Sequence, residues 1–124
     1  MTGDAIDPIG VRKMKIEKHV TIYANSEIVF LHLVVPDLLM SWIKSMGDFR
    51  FITDIRNGDL QGAKFTYNAG GRDFEGEVLE YSPTSRYVGF FSSDAYEYTD
   101  EFCLKDSDGI TTLSGIMDVR FKGI

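Results

Sequence analysis

The chain has 124 residues, 44% of them hydrophobic and 26% charged, with a formal net charge of −6, which is the profile of one globular domain and not of a disordered segment. That negative field argues against nucleic acid as a partner, because the only dense basic stretch, Arg12, Lys13, Lys15 and Lys18, is interleaved with Met14, Ile16 and Glu17. Cys103 is the only cysteine, the N-terminus lacks a cationic start before an apolar core, and the run Ile28 to Val35 is far short of the ~20 residues of a membrane span, so the expectation is a cytoplasmic protein without a membrane span.

Residues 1–12 read as a flexible lead-in carrying Gly3, Pro8 and Gly10, and residues 13–124 as a single domain. From Val11 to Ala24 the pattern alternates, with Met14, Ile16, Val20 and Ile22 on one parity and Lys18 breaking it. That is a half-buried strand. Ser26 is read as an N-cap and Glu27 as a first-turn carboxylate of a short helix that ends near Pro36. A second helix is expected from Asp37 to about Ser45, with Leu38, Leu39, Trp42, Ile43 and Met46 on one face and Gly47 ending it.

After Gly47 the helical signals stop. Phe49, Phe51 and Ile55 alternate with charged residues, and Asn57-Gly58-Asp59 is a turn. Further strands carry Ala63, Phe65 and Tyr67, then Phe74, Gly76 and Val78, then Tyr87, Val88, Phe90 and Phe91. The last two carry Tyr96, Tyr98, Phe102 and Leu104, and Leu113, Met117, Val119 and Phe121. Short links make neighbours antiparallel, and the parity split gives the sheet one dry and one wet face. The fold class is therefore α+β: a curved antiparallel sheet of about seven strands, with two short helices between the first and second.

This order resembles the START-like superfamily (SRPBCC), which includes the polyketide cyclases and the birch-pollen allergen group and has a helix-grip fold. Val20-Thr21-Ile22-Tyr23-Ala24-Asn25-Ser26-Glu27-Ile28-Val29-Phe30 looks like that family's first strand entering its first helix, and Pro36-Asp37-Leu38-Leu39-Met40-Ser41-Trp42 like its second helix. The stretch from Glu75-Gly76-Glu77 to Ser82-Pro83-Thr84-Ser85-Arg86, and Ile110-Thr111-Thr112-Leu113, look like the approaches to its middle and last strands. The resemblance covers residues 13 to 121. It implies a long C-terminal helix across the dry face, whereas this sequence stops at Gly123-Ile124. Leu113, Met117, Val119 and Phe121 are then expected to lack cover, at roughly 1.5–3 kcal/mol for each large side chain left exposed. Truncation, cover from another chain and a naturally short form are the three explanations. A homo-oligomer covering the final strand is the expected consequence.

Catalytic chemistry finds little support in the sequence. His19 falls on the wet parity and His32 in the first helix, with no metal-ligand spacing between them, so neither a metal nor another cofactor is expected. Asp73, Glu75 and Glu77, and Glu97 and Glu101, read as solvated faces. Cys103 lacks a histidine partner, and Gly58, Gly70 and Gly71 are turn glycines that precede no helix. Polar residues on the dry parity are more informative: Lys18, Thr53, Asp100 and the tyrosines. A mostly apolar wall with a few convergent polar groups suits a small molecule, although the plainer explanation is that Lys18 and Asp100 sit near strand ends or bulges, or form a structural pair.

The candidate pocket lining is Trp42, Phe51, Phe65, Tyr67, Phe74, Tyr87, Phe91, Tyr98, Asp100, Phe102 and Met117. The function expected is binding or transport of a hydrophobic small molecule such as a lipid, polyketide or aromatic compound, without catalytic residues. A cyclase or aromatase-type enzyme is one alternative, and a protein-interaction module resembling the family's chaperone-activating members is the other.

Overall fold

The computed structural model describes residues 5–6 and 12–122. Its elements are β1 (Ala5–Ile6), β2 (Arg12–Ile22), α1 (Ser26–Val34), α2 (Pro36–Trp42), β3 (Met46–Phe51), β4 (Lys64–Ala69), β5 (Arg72–Ser82), β6 (Arg86–Ser92), β7 (Tyr96–Ser107) and β8 (Ile110–Phe121). All strands join one curved antiparallel sheet in the order β1-β2-β8-β7-β6-β5-β4-β3. The expected strand, two helices and six-stranded meander are all present. The meander returns its last strand to β2, which pairs β8 from Lys13↔Arg120 to Ile22↔Thr111. Most of the expected lead-in lies outside the described residues, but Ala5 and Ile6 pair with Lys13 and Arg12, and β2 already begins at Arg12.

Helix boundaries differ from the sequence reading for local reasons. Asn25, not Ser26, caps α1: its Oδ1 accepts from Ile28 N at 2.9 Å. Ser26 N donates instead to Asp106 Oδ2 at 2.8 Å, so the β7–β8 hairpin satisfies a second free amide of that helix start. Helix α2 ends at Trp42, because Ile43 is already extended, and Gly47 lies in β3 at an irregularity between Gly47 and Arg50. The third strand also stops early. Residues 52–63 form an irregular connection held by Thr53, whose Oγ1 accepts from Lys64 N at 2.8 Å, and anchored by buried Leu60 and Ala63. Thr53 is thus a loop-closing residue and not part of a pocket wall.

Helix α1 buries Val29, Phe30, Leu33 and Val34 on the concave side, where Phe30 meets the rings of Tyr81 and Tyr87 at 5.7 and 6.3 Å. A register shift between Val78 and Glu80 turns Leu79 outward and restores Tyr81 to the inner parity. The core then runs through Phe49, Phe65, Tyr67, Phe74, Val78, Tyr87, Phe91 and Leu104.

Three glycines on this inner parity shape the sheet. A Cβ at Gly76 would meet the Phe90 carbonyl oxygen and the Phe65 ring, one at Gly89 would sit 2.8 Å from Phe91, and one at Gly115 would lie 3.8 Å from Phe102. A phenylalanine ring therefore covers each glycine, filling space that the missing side chain leaves where the sheet curves.

Candidate binding site

The concave face divides into a filled half and an open half. Phe65 is 0% exposed, and Tyr67, Phe74, Tyr87 and Phe91 are all buried. Four of these rings pack on one another and on Phe49, with Tyr67–Phe74 at 4.8 Å, Phe65–Phe91 at 5.2 Å and Phe49–Phe65 at 5.0 Å, while Tyr87 meets Phe30. These five candidate lining residues belong to the buried core and form the floor of the concave face. Phe51 is half-buried at its margin, with its ring edge-on to Phe49.

The open half is built by strand register. Three cross-strand rows run through β6, β7, β8 and β2: Phe91–Tyr98–Val119–Met14, Gly89–Asp100–Met117–Ile16 and Tyr87–Phe102–Gly115–Lys18. Along them Met14, Ile16, Tyr98, Asp100, Phe102 and Met117 are all partly exposed, making a trough beside the packed core. The expectation that Leu113, Met117, Val119 and Phe121 would all be bare is met only in part. Val119 is buried, Leu113 packs against the core and Phe121 lies 6.0 Å from the Tyr96 ring.

Trp42 stands apart from both halves. It is 51% exposed on α2, and its indole N–H donates to the His32 carbonyl at 2.8 Å. His32 Nδ1 donates to the Ile28 carbonyl, and His19 pairs with Ser114 Oγ at 3.0 Å on the outer parity. Among the described residues, then, no histidine lines the trough. Cys103 lies on the outer face too, beside Arg86, which also donates to Glu80 and Glu101 at 2.7 Å each.

Two polar features remain in the trough. The Tyr67 and Tyr98 hydroxyls bond to each other at 2.8 Å, and Tyr98 stacks on Phe91 at 4.6 Å. Burial pushes the Tyr98 phenol up to about 12 and holds Tyr67 well above the ordinary phenol range, so both stay neutral and serve as hydrogen-bonding groups. Asp100 is the second feature. Burial raises its carboxyl to about 6, and the positive charge of Lys18 pulls it partly back. Lys18 itself is exposed and forms no ion pair with Asp100, so the two do not neutralise each other by contact.

Surface depressions also open among charged side chains, the second of them bordering Met14, Tyr98 and Val119 of the same strands. One of about 620 Å³ is lined chiefly by side chains of β3–β6, including Arg50, Asn68, Asp73 and Glu75, together with Lys122 just past β8. A second, of about 370 Å³, sits among Lys13, Lys15, Glu97, Asp118 and Arg120. Both are bordered by solvated charges of mixed sign, poorly suited to an apolar ligand, so the more apolar trough is the better candidate.

No protein-family profile and no curated protein matches the chain, but solved structures do. A START superfamily protein from Mycobacterium smegmatis superposes with a TM-score of 0.75 at 14% identity, over 88% of this chain and 78% of the other. The chain has the START-like helix-grip fold. Ara h 8.0201 gives a TM-score of 0.71 at 16% identity, over 90% of this chain and 79% of that one. DynU16, from the dynemicin biosynthetic locus, gives 0.63 at 20% identity, covering 88% of this chain and 38% of its own. On the helix-grip frame the trough is the part of the concave face that the two helices leave uncovered.

Sequence reasoning missed the trough's far wall. Met14 and Ile16 were legible as an inner strand face, but only the β2–β8 pairing sets them opposite Val119 and Met117. Gly89 and Gly115 carried no signal beyond being strand glycines.

Proposed function

We propose that the chain binds a hydrophobic small molecule (a lipid, polyketide or aromatic compound) in the trough, against Met14, Ile16, Tyr98, Phe102 and Met117. The observation that carries this reading is the contrast between the halves of one face. The interlocked rings of Phe49, Phe65, Tyr67, Phe74 and Phe91 make a packed floor, and an apolar wall beside it stays half-exposed with one carboxylate and one hydroxyl pair inside it. Burying that wall contributes roughly 25 cal/mol per Å² before the cost of association. Phe65, Phe74, Tyr87 and Phe91 then act as framework, not as ligand contacts. A cyclase or aromatase-type activity has less support, since the trough offers one lone carboxylate and neutral phenols. The lone free thiol Cys103 fits a reducing, cytoplasmic setting.

The test is displacement of a neutral fluorescent probe, N-phenylnaphthylamine, by a panel of fatty alcohols, polyphenols and aromatic polyketides. Met117→Lys should abolish probe binding with the circular dichroism spectrum unchanged. Probe binding that survives this charge in the wall overturns the assignment. A second copy covering the final strand is the competing use of the same face, supported by half-exposed Ile16 and Met117 and by Val20 at 47% exposure. Sedimentation velocity decides it: a monomer at micromolar concentration removes the second copy, and a dimer that ligand dissociates makes the two uses exclusive.

A further inference from the structure

We infer that Asp100 makes the trough selective for ligands carrying a cationic amine and turns away carboxylates, an inference that rests on the trough being the binding site. Asp100 stands in its row between Gly89, over which the Phe91 ring lies, and the half-exposed Met117, so one flank of the carboxylate is aromatic and the other borders the open trough. Tyr98 and Phe102 lie two residues to either side on the same face of β7, so an aromatic ring borders it in each direction along the strand. Ring faces attract an organic cation and offer nothing to an anion. Among the described residues no side chain hydrogen-bonds the Asp100 carboxylate, so its acceptor capacity is open to a ligand.

The other titratable groups in range work with or around it. Tyr98 and Tyr67 are neutral phenols. Lys18, in the next row opposite Gly115, acts on Asp100 and opposes a bound cation, but its side chain is exposed and solvent screens its charge. A ligand carboxylate in the trough would instead meet Asp100 in a partly desolvated setting, where like-charge repulsion is poorly screened. The chain's net charge of −6 acts in the same direction. Burial places the Asp100 carboxyl at about 6, so it is ionised near neutrality and loses its charge just below.

Decylamine, decanol and decanoate share one apolar body and differ in the head. Each is titrated against bound N-phenylnaphthylamine on the full chain and on Asp100→Asn, with the fold checked by circular dichroism. The amine should lead the alcohol by about ten-fold or more in the unsubstituted chain, with decanoate weakest. In Asp100→Asn the amine should lose that lead and decanoate should gain. Equal affinities, a carboxylate preference, or an unchanged order in Asp100→Asn overturns the role of Asp100 while leaving the trough as a binding site. Failure of the probe itself to bind overturns the trough and this inference together. A second arm does not depend on the variant folding: the amine's lead should shrink as pH falls from about 7 to about 5. A lead that persists unchanged across that range overturns the inference.

Discussion

Replacing Gly76 by alanine tests whether the filled half of the concave face is as rigid as its geometry implies. The added Cβ would run into the Phe90 carbonyl oxygen and lie 2.6 Å from Cζ of Phe65, a ring with no solvent exposure. Neither neighbour gives way cheaply. The oxygen belongs to the β5–β6 ladder, where Gly76 faces Phe91, and the ring is held by Phe49, Phe51 and Phe91. Overpacking of this kind costs about 1–3 kcal/mol, and contact with backbone places this site at the upper end. The smaller unfolded-state entropy of alanine returns roughly 0.5–1 kcal/mol. The net loss of about 2 kcal/mol corresponds to a fall in Tm of roughly 8 °C for a chain of this size. Gly115→Ala is the matched control, because its Cβ meets the Phe102 ring at an ordinary 3.8 Å, and it should be neutral or slightly stabilising. Urea and thermal unfolding followed by circular dichroism read both. Equal effects at the two positions, or a loss below about 1 kcal/mol at Gly76, would refute the rigid floor.

Three further outcomes follow from individual side chains. Thr111 is fully buried and its Oγ1 donates to the Ala24 carbonyl at 2.7 Å, so Thr111→Val should cost about 1–3 kcal/mol in urea unfolding by stranding that carbonyl; a neutral result would mean that water reaches it. Burial raises the Asp100 carboxyl from 3.8 to about 6, so the folded chain holds that proton more tightly than the unfolded one, and this residue's contribution makes stability rise as pH falls from about 6 toward 4. Asp100→Asn should accordingly stabilise the chain near pH 7, by at most ~3 kcal/mol, and leave it unchanged near pH 4; no stabilisation at the higher pH would contradict the burial. Trp42, half-exposed and bonded to His32, should keep its emission when the trough fills, and a large shift on ligand addition would place the ligand near α2 instead.

The sheet was legible because its signal is local. Period-two alternation in Met14, Ile16, Val20 and Ile22, or in Tyr96, Tyr98, Phe102 and Leu104, reports one buried face whatever the partner strand is. The element order followed from the same signal and from the break at Pro36. Ends of elements were less legible, because single side chains decide them. Asn25 caps the helix one residue before Ser26, and the Ser26 amide donates to Asp106, a contact across 80 positions of sequence. The binding face was read only in outline. Composition marked an aromatic wall, but whether Phe65 and Phe91 line a cavity or fill it depends on which glycines they cover, and that is fixed by register. Trp42 lies half-exposed on α2, a placement a helix of only seven residues leaves open because it gives too few turns to say which way one ring points.

Ligand-induced shifts in a methyl- and amide-resolved NMR spectrum test the central claim most directly. With decanol or N-phenylnaphthylamine bound, the account predicts perturbations concentrated at Met14, Ile16, Tyr98, Asp100, Phe102 and Met117. Phe65, Val78 and Phe91 should be nearly still. Shifts centred instead on Arg50, Asp73 and Lys122 of the outer depression, or spread through the Phe65 floor, would contradict it.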